Sequence, residues 1–143
     1  MTNYRNYDTM LQVAKSVGFI HCNTLIWMKG NLTPNSQSYM NGYEMIIQLR
    51  KGKSVPINHL GASNIMNIPN IIGKINHPCE KPIELYSKFI LQSSKENEII
   101  FDPFAGAGTC VLSCIENNRR CVCSEIDPKY YNRMVERVKE EFE

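Results

Sequence analysis

The feature that most constrains the fold of this sequence is the alternation of strand and helix patterns toward its C-terminal end. A β-branched segment over 98–101 and a two-glycine turn over 102–108 (the glycine turn) precede a helical pattern over 109–117. A second strand pattern over 120–125 and a helical pattern over 128–140 follow. This β-α-β-α order requires parallel strands and a right-handed crossover. The sequence therefore predicts an α/β fold with a parallel sheet.

The first half of the chain has weaker patterns, which still divide it into elements. They predict a helix over 7–16 that ends at Gly18, strands over 19–27 and 42–49 joined by a long hairpin-like loop, an irregular loop over 51–76, and a helix over 82–92 that Pro82 begins. Since 43% of the 143 residues are hydrophobic and 21% are charged, we expect one globular domain. It would comprise a helix, strand pair and loop over 1–76 and a β-α-β-α half over 77–143.

Charge and hydropathy exclude some classes of function. The net charge of +2 comes from 16 basic and 14 acidic residues, so no strong electrostatic signature of DNA binding is present. Any nucleic-acid role must rest on motifs. No apolar run approaches the roughly 20 residues of a membrane span, and residues 1–8 lack the character of a signal peptide. We therefore expect a cytoplasmic protein with no membrane partner.

Four of the six cysteines have a spacing typical of small buried hydrophobic residues rather than of disulfides or a zinc site. Cys110 and Cys114 have helical spacing, whereas Cys121 and Cys123 lie two apart on a predicted strand. No Cys-x-x-Cys pair occurs, so we expect no metal site.

The glycine turn and the strand after it indicate a nucleotide-like ligand. The turn lies where a predicted strand ends and a helix begins, which is where open α/β sheets bind nucleotides. Gly106 and Gly108 would let a ligand approach the backbone, and Glu125 ends the next predicted strand, where an acidic side chain can accept hydrogen bonds from ribose hydroxyls. A plain turn and a solvated glutamate are the alternatives for each feature alone; together, the two features favour an adenosyl ligand.

A third motif, His77-Pro78-Cys79-Glu80-Lys81-Pro82, stands directly before the predicted helix over 82–92. His-Pro-x-x-Lys-Pro, Asp-Pro-Phe-x-Gly-x-Gly-Thr and Glu-x-Asp-x-x-Tyr follow one another in this order. The series resembles the permuted (beta-type) class of DNA N6-adenine and N4-cytosine amino-methyltransferases, in which the cofactor-binding motifs follow the catalytic one. Residues 25–29 and 42–44 also fit that family, so the resemblance covers nearly the whole chain.

The resemblance implies S-adenosylmethionine as the cofactor and a role for each matching residue. The residues expected around its methionine and ribose portions are Asp102, Phe104, Gly106, Gly108 and Thr109. Glu125 would bind the ribose, and Lys81 would close the pocket with His77 and Pro78 nearby. Asp127 also matches a cofactor-binding position, although Asp-Pro is an ordinary helix start as well. Ala107 replaces the serine that is usual in the family.

The resemblance also implies a catalytic Asp/Asn/Ser-Pro-Pro-Tyr/Phe loop, which accepts the amino hydrogens and stacks on a flipped-out base. No Pro-Pro dipeptide occurs in the sequence, and the family's order places this loop before Met1. The nearest matches, 67–70 and 127–130, are not expected to replace it. We therefore assign no catalytic residue to this chain.

The implied fold is a partial Rossmann-like methyltransferase sheet. In the family the strands lie in the order 3-2-1-4-5-7-6, and this chain would supply strands 6, 7, 1 and 2, mostly parallel with an antiparallel edge hairpin. Strands 4 and 5 belong in the middle, and unpaired buried backbone is costly. We therefore expect a second polypeptide or a second copy to complete the sheet, unless the strands rearrange.

The main functional hypothesis is a truncated or split S-adenosylmethionine-dependent DNA methyltransferase that acts on adenine or cytosine and receives its catalytic loop in trans. The alternative is a noncatalytic remnant or regulatory module that still binds the cofactor. A nicotinamide-dependent oxidoreductase would leave residues 77–82 unexplained, and Val111 stands where its third glycine belongs. Double-stranded DNA is the expected partner. The candidates for DNA contact are the basic residues that flank the two predicted strands, Lys29, Arg50, Lys51 and Lys53, and the Asn-rich stretch up to Asn76, which would supply polar contacts to phosphates or base edges. A solvated loop with ordinary surface lysines is the alternative.

Overall fold

The computed structural model describes residues 1–30, 39–71 and 80–142. The elements are α1 (Tyr4–Ser16), β1 (Ile20–Met28), β2 (Tyr43–Arg50), β3 (Ile65–Asn67), α2 (Ile83–Ser93), β4 (Ile99–Asp102), α3 (Thr109–Glu116), β5 (Arg120–Cys123) and α4 (Pro128–Phe142). They form two compact units, Met1–Asn70 and Ile71–Glu143. The single domain expected from the sequence stays a prediction. Within the described ranges, no helix combines the length and apolarity needed to cross a membrane.

Helix α1 has a defined signal at each end. The Asn3 side chain accepts hydrogen bonds from the backbone N–H groups of Arg5 and Asn6 at 3.0 and 3.2 Å, which is N-cap geometry. The helix therefore begins three residues before the predicted range of 7–16. At the other end Gly18 has φ +88° and its N–H donates to Lys15, while the N–H of Phe19 donates to Ala14. This is the Schellman arrangement that a glycine at C′ permits.

Strand β1 lies at the centre of a three-stranded sheet with the order β2-β1-β3. It pairs antiparallel with β2, from Ile20 opposite Arg50 to Met28 opposite Tyr43, which confirms the predicted strand pair. It also pairs parallel with β3, from Ile26 opposite Ile65 to Met28 opposite Asn67. The prediction of an irregular loop with short turns over 51–76 is therefore wrong at β3, and its last part, 72–76, lies outside the described residues. Three residues are too few to show a sequence period, and their extended form depends on the neighbouring β1.

The first unit is centred on Trp27, whose side chain is fully buried. Its indole N–H donates to the carbonyl oxygen of Ile68 at 2.7 Å, which ties β1 to the segment that follows β3. Met66 and Ile68 are also buried. A buried indole N–H needs such a partner, because an unpaired polar group away from water is costly.

The second unit contains the predicted parallel β-α-β connection. Strands β4 and β5 pair parallel from Ile99 opposite Arg120 to Asp102 opposite Cys123, with α3 between them in the chain. Strand β5 ends at Cys123, so the predicted strand over 120–125 is two residues too long. The reason is that β4 ends at Asp102. The N–H of Ser124 donates to the carbonyl oxygen of Asp102 at 3.0 Å, and β4 has no further residue with which Glu125 could pair.

Three cysteines of the second unit lie in its core or pack against it, as predicted, whereas Cys123 is partly buried. Cys110 and Cys114 are buried with Ile90, and Cys121 packs against them. Burial raises the pKa of Cys110 and raises that of Cys121 to about 11, so both thiols are neutral at pH 7. The sulfur atoms of these three cysteines lie within 4.8 Å of one another, a proximity that spacing alone did not indicate. The expectation of no metal site stays a prediction.

One face of the β4–β5 sheet is bare. Ile99, Phe101 and Val122 are 56%, 66% and 52% exposed, whereas the alternating residues Ile100 and Cys121 face the core. Parallel sheets occur almost only with both faces covered, because their strands are apolar on both sides. Within residues 1–30, 39–71 and 80–142, this side of the sheet is therefore largely uncovered.

Candidate functional site

The glycine turn is fixed to the ends of both parallel strands by its own backbone and by one carboxylate. Asp102 Oδ1 accepts a hydrogen bond from the N–H of Phe104 at 3.0 Å. The N–H of Ala105 donates to the carbonyl of Ser124 at 2.9 Å, and the N–H of Gly108 donates back to Ala105 at 2.9 Å. The turn therefore stands at the carboxyl end of the sheet, as the sequence predicted.

Both glycines of the turn have left-handed backbone conformations, with φ +55° at Gly106 and φ +85° at Gly108. Gly108 is also the N-cap of α3. A Cβ atom there would lie 2.5 Å from Cγ of Met134 on α4. The sequence explained Gly108 by the approach of a ligand; the structure adds that α4 packs too closely against it for any side chain.

The Glu125 carboxylate connects the glycine turn to the turn before α4. Oε2 accepts a hydrogen bond from the N–H of Gly106 at 2.7 Å, and Oε1 accepts one from the N–H of Asp127 at 3.0 Å. These backbone hydrogen bonds, that of Asp127 first, lower the pKa of Glu125, so the side chain is ionised at neutral pH. Each oxygen has a second lone pair for a further donor. Glu125 therefore organises the site and still offers acceptors to a ligand.

Asp127 has the helix-start role that its sequence context allowed. Its Oδ1 accepts a hydrogen bond from the N–H of Lys129 at 2.8 Å, which is the bond of an N-cap to the second helical residue. Its matched role in cofactor binding stays a prediction.

Two large apolar side chains beside this network are almost fully exposed. Ile126 is 98% exposed between the two acidic residues Glu125 and Asp127, and Phe104 is 86% exposed on the glycine turn. Phe104 was singled out from its motif, but Ile126 was not. The sequence feature that could have identified Ile126 is its position between two acidic residues in a turn, because no strand or helix period there requires an apolar residue.

Three further residues of the second unit belong to α2, to the start of α3 and to the segment before α2. Burial, and next the charge of Asp102, raise the pKa of Tyr86 to about 12, so its hydroxyl stays protonated at neutral pH. Thr109 is buried at the first position of α3. Lys81 is partly buried before α2. His77 and Pro78 lie outside the described residues.

Three of the four basic residues proposed to contact DNA have partners inside the first unit. Lys29 Nζ lies 3.6 Å from Glu44 Oε1, with both side chains largely buried. Arg50 donates to the carbonyl of Gly52, and Lys51 Nζ lies 5.3 Å from the centre of the Phe19 ring. Because Lys29 is largely buried in its ion pair with Glu44, it is not an ordinary solvated lysine. DNA contact by these basic residues stays a prediction.

Comparison with known proteins identifies the family. The model of the N6/N4 family, described as DNA methylase, matches residues 62–136, which is more than half of the chain. This chain belongs to the N6/N4 DNA methylase family. The sequence resemblance is thereby confirmed, and the match includes both the segment before α2 and the glycine turn.

Individual relatives and a solved structure agree with this membership. The chain is 28% identical over 165 residues to the type II methyltransferase M2.MboI of Moraxella bovis, covering 97% of this chain and 60% of that protein. It is 28% identical over 146 residues to the DNA adenine methyltransferase YhdJ of Escherichia coli, covering 93% and 50%. The crystal structure of an M1.HpyAVI–SAM complex superposes with a TM-score of 0.79 at 25% identity, covering 94% and 71%.

These comparisons confirm the predicted fold class, a partial methyltransferase α/β sheet. The chain spans about half the length of curated relatives that it matches, 60% of M2.MboI and 50% of YhdJ.

Replacing Gly108 with alanine tests the packing of the glycine turn. Gly108→Ala adds a positive-φ cost of about 1–2 kcal/mol and an overlap with Met134 of about 1–3 kcal/mol. Gly52→Ala is the matched control, since φ is +80° there and nothing lies within 4 Å of the new Cβ. Amide hydrogen exchange of peptides from each unit measures the two local stabilities separately. Equal losses at the two glycines would show that α4 does not constrain the turn.

The lowered pKa of Glu125 predicts a pH-dependent stability difference between the wild type and Glu125→Gln. Above the ordinary glutamate pKa of 4.5, the ionised carboxylate contributes its full stabilisation. That contribution is lost as the pH falls through the lower pKa of the folded state, so the two proteins converge in acid. Urea unfolding between neutral and acidic pH measures the difference. Glu116→Gln, at the end of α3, controls for the loss of one charge; a difference that persists unchanged in acid would contradict the assignment.

Proposed function

We propose that this chain is the S-adenosylmethionine-binding part of a DNA amino-methyltransferase that acts on the exocyclic amino group of adenine or cytosine in double-stranded DNA. The observation that supports it most is the Glu125 carboxylate, which joins Gly106 and Asp127 at the carboxyl ends of two parallel strands. Ligands of open α/β sheets bind at this edge. Membership of the N6/N4 DNA methylase family gives the reaction class.

The residues of the site fit this cofactor chemically. Ribose hydroxyls would donate to the remaining lone pairs of Glu125. An adenine ring has two apolar faces, and Ile126 is an exposed apolar side chain next to that carboxylate. Phe104, Gly106 and Thr109 would line the side toward the methionine portion.

Lys81 would close the pocket from the α2 side, with His77 and Pro78 from the same motif. In this arrangement, Asp102 helps to position the ligand because its carboxylate accepts a hydrogen bond from the backbone N–H of Phe104.

When bound, the cofactor supplies an electrophilic methyl group on a sulfonium. The task of the protein is then mainly to align the acceptor nitrogen with that methyl group, because well-oriented reactants need little further catalysis. The residues described above hold the donor only. The Asp/Asn/Ser-Pro-Pro-Tyr/Phe segment that would hold the flipped-out base has no match in these 143 residues. The proposal is that a second polypeptide provides it.

The bare face of the β4–β5 sheet supports such a partner. Ile99, Phe101 and Val122 form an apolar surface on the side of the sheet away from α3. Covering three side chains of this size contributes several kcal/mol to association, at about 25 cal/mol per Å² of apolar surface. A second polypeptide that adds strands and helices to this sheet would cover them.

Cofactor binding is the first expected outcome. We expect the wild-type chain to bind S-adenosylmethionine in isothermal titration calorimetry, and Glu125→Ala to weaken binding about tenfold to a hundredfold, since hydrogen bonds to a charged group contribute about 1.5–3 kcal/mol. Glu116→Ala is the matched control and should bind as the wild type does. Absence of binding by the wild type, or equal binding by Glu125→Ala, would refute the proposed pocket.

Methyl transfer in trans is the second expected outcome. Co-expression with the Asp-Pro-Pro-Tyr-containing half of a related N6/N4 methyltransferase should produce methylated DNA, measured by mass spectrometry of nucleosides, while neither half alone does. Phe101→Asp should abolish this by placing a charge on the bare face. Leu60→Asp is the control, because Leu60 is an exposed apolar residue of the other unit. Cofactor binding without methyl transfer in any pairing would instead support the noncatalytic module.

A further inference from the structure

A buried ion pair outside the proposed ligand contacts joins two distant segments of the second unit. Arg137 Nη1 on α4 lies 2.7 Å from Glu80 Oε1, and the two side chains are only 8% and 5% exposed. The same Nη1 lies 3.4 Å from the carbonyl oxygen of Ala107 in the glycine turn, and Nε lies 3.3 Å from Glu141 Oε1. One guanidinium therefore contacts the segment before α2, the glycine turn and its own helix.

This pair is poorly explained by stability alone. Taking two charges out of water costs several kcal/mol per ion, and well-packed apolar residues of similar volume often stabilise a fold as well or better. In addition, Glu80 Oε2 is buried and has no hydrogen-bond partner within residues 1–30, 39–71 and 80–142. Leaving such an acceptor unpaired carries a further cost. What a planar guanidinium adds over an apolar contact is a fixed direction, because Nε faces Glu141 while Nη1 faces Glu80 and Ala107.

The position of Arg137 on α4 makes that geometry relevant to the glycine turn. Met134 and Arg137 are the buried residues of α4 and are three positions apart, so they lie on one face. Met134 lies against Gly108, and Arg137 contacts the carbonyl of Ala107. Helix α4 thus supports two successive residues of the turn. Arg137 alone also reaches Glu80, which is the direct neighbour of Lys81.

We propose that Arg137 is a positioning residue for cofactor binding: its guanidinium fixes Glu80 relative to Ala107 and thereby holds Lys81 at the glycine turn. Arg137 contacts the backbone of the pocket and acts through Lys81 and the turn. The expected effect on the affinity for S-adenosylmethionine rests on the proposed function. The coupling between the segment before α2 and the glycine turn does not.

The most direct test is Arg137→Lys, measured by calorimetry with S-adenosylmethionine and by amide hydrogen exchange of the free protein. Lysine keeps the positive charge for Glu80 but lacks the planar group whose Nε also contacts Glu141, so the direction of its ammonium toward Glu80 and Ala107 is not fixed. We expect the Kd to rise about tenfold to a hundredfold, the range that small misplacements of binding groups produce. Exchange should accelerate in peptides containing residues 80–86 and 105–109. Arg133→Lys is the matched control, since Arg133 forms an exposed ion pair with Glu136 on the same helix.

A second variant separates positioning from stability. Glu80→Leu combined with Arg137→Met removes both charges and keeps an apolar contact, so the melting temperature should stay close to that of the wild type. Its Kd should nevertheless rise as in Arg137→Lys, because the directional tie is lost.

Several results would overturn the proposal. A folded double variant with the wild-type Kd would show that the pair does not position the pocket. Arg137→Lys with unchanged Kd and unchanged exchange would do the same, and loss of folding in Arg137→Lys would make the pair purely structural. If the wild type itself does not bind S-adenosylmethionine, the proposed function fails, and the exchange data alone still decide whether Arg137 couples the two segments.

Discussion

The site depends on one carboxylate that holds two turns together. Glu125 accepts one backbone hydrogen bond from Gly106 and another from Asp127, and these bonds keep it ionised. Without it, Ser124 would still be linked to the glycine turn, through the hydrogen bond from the Ala105 N–H to the Ser124 carbonyl and through that from the Ser124 hydroxyl to the Pro103 carbonyl. The tie from Asp127 through the carboxylate to Gly106 would be lost. A negative charge that is already fixed by the backbone needs no rearrangement to accept ribose hydroxyls, and such preorganisation lowers the cost of binding.

Helix α4 contacts both of the turns that Glu125 joins. Its first turn is capped by Asp127, the residue that also donates to Glu125, and its buried face contacts the glycine turn through Met134 and Arg137. These contacts hold the glycine turn and the turn before α4 together, while one face of the β4–β5 sheet is largely exposed. In the proposed function, the residues of the cofactor site therefore differ from those of the exposed sheet face, Ile99, Phe101 and Val122.

Sequence reasoning succeeded where the determinants are local. Strand, glycine turn and helix follow one another within a few residues, so β4, α3 and the position of Gly106 could be predicted. It failed where contacts are long-range. Strand β3 is extended because β1 lies beside it, and Glu80 meets Arg137 across 57 residues. No sequence periodicity indicates the pairing of Glu80 with Arg137, because each residue alone resembles an ordinary charged residue of a loop or helix.

The central claim is that an adenosyl ligand binds where Glu125 joins the two turns. The most direct measurement is a titration of the ¹⁵N-labelled chain with S-adenosylhomocysteine, followed by NMR. The account predicts the largest shifts at the amides of Gly106 and Asp127, with no such response to a nicotinamide dinucleotide. Saturating ligand that leaves both amides unchanged, or a nicotinamide dinucleotide that shifts them equally, would contradict it.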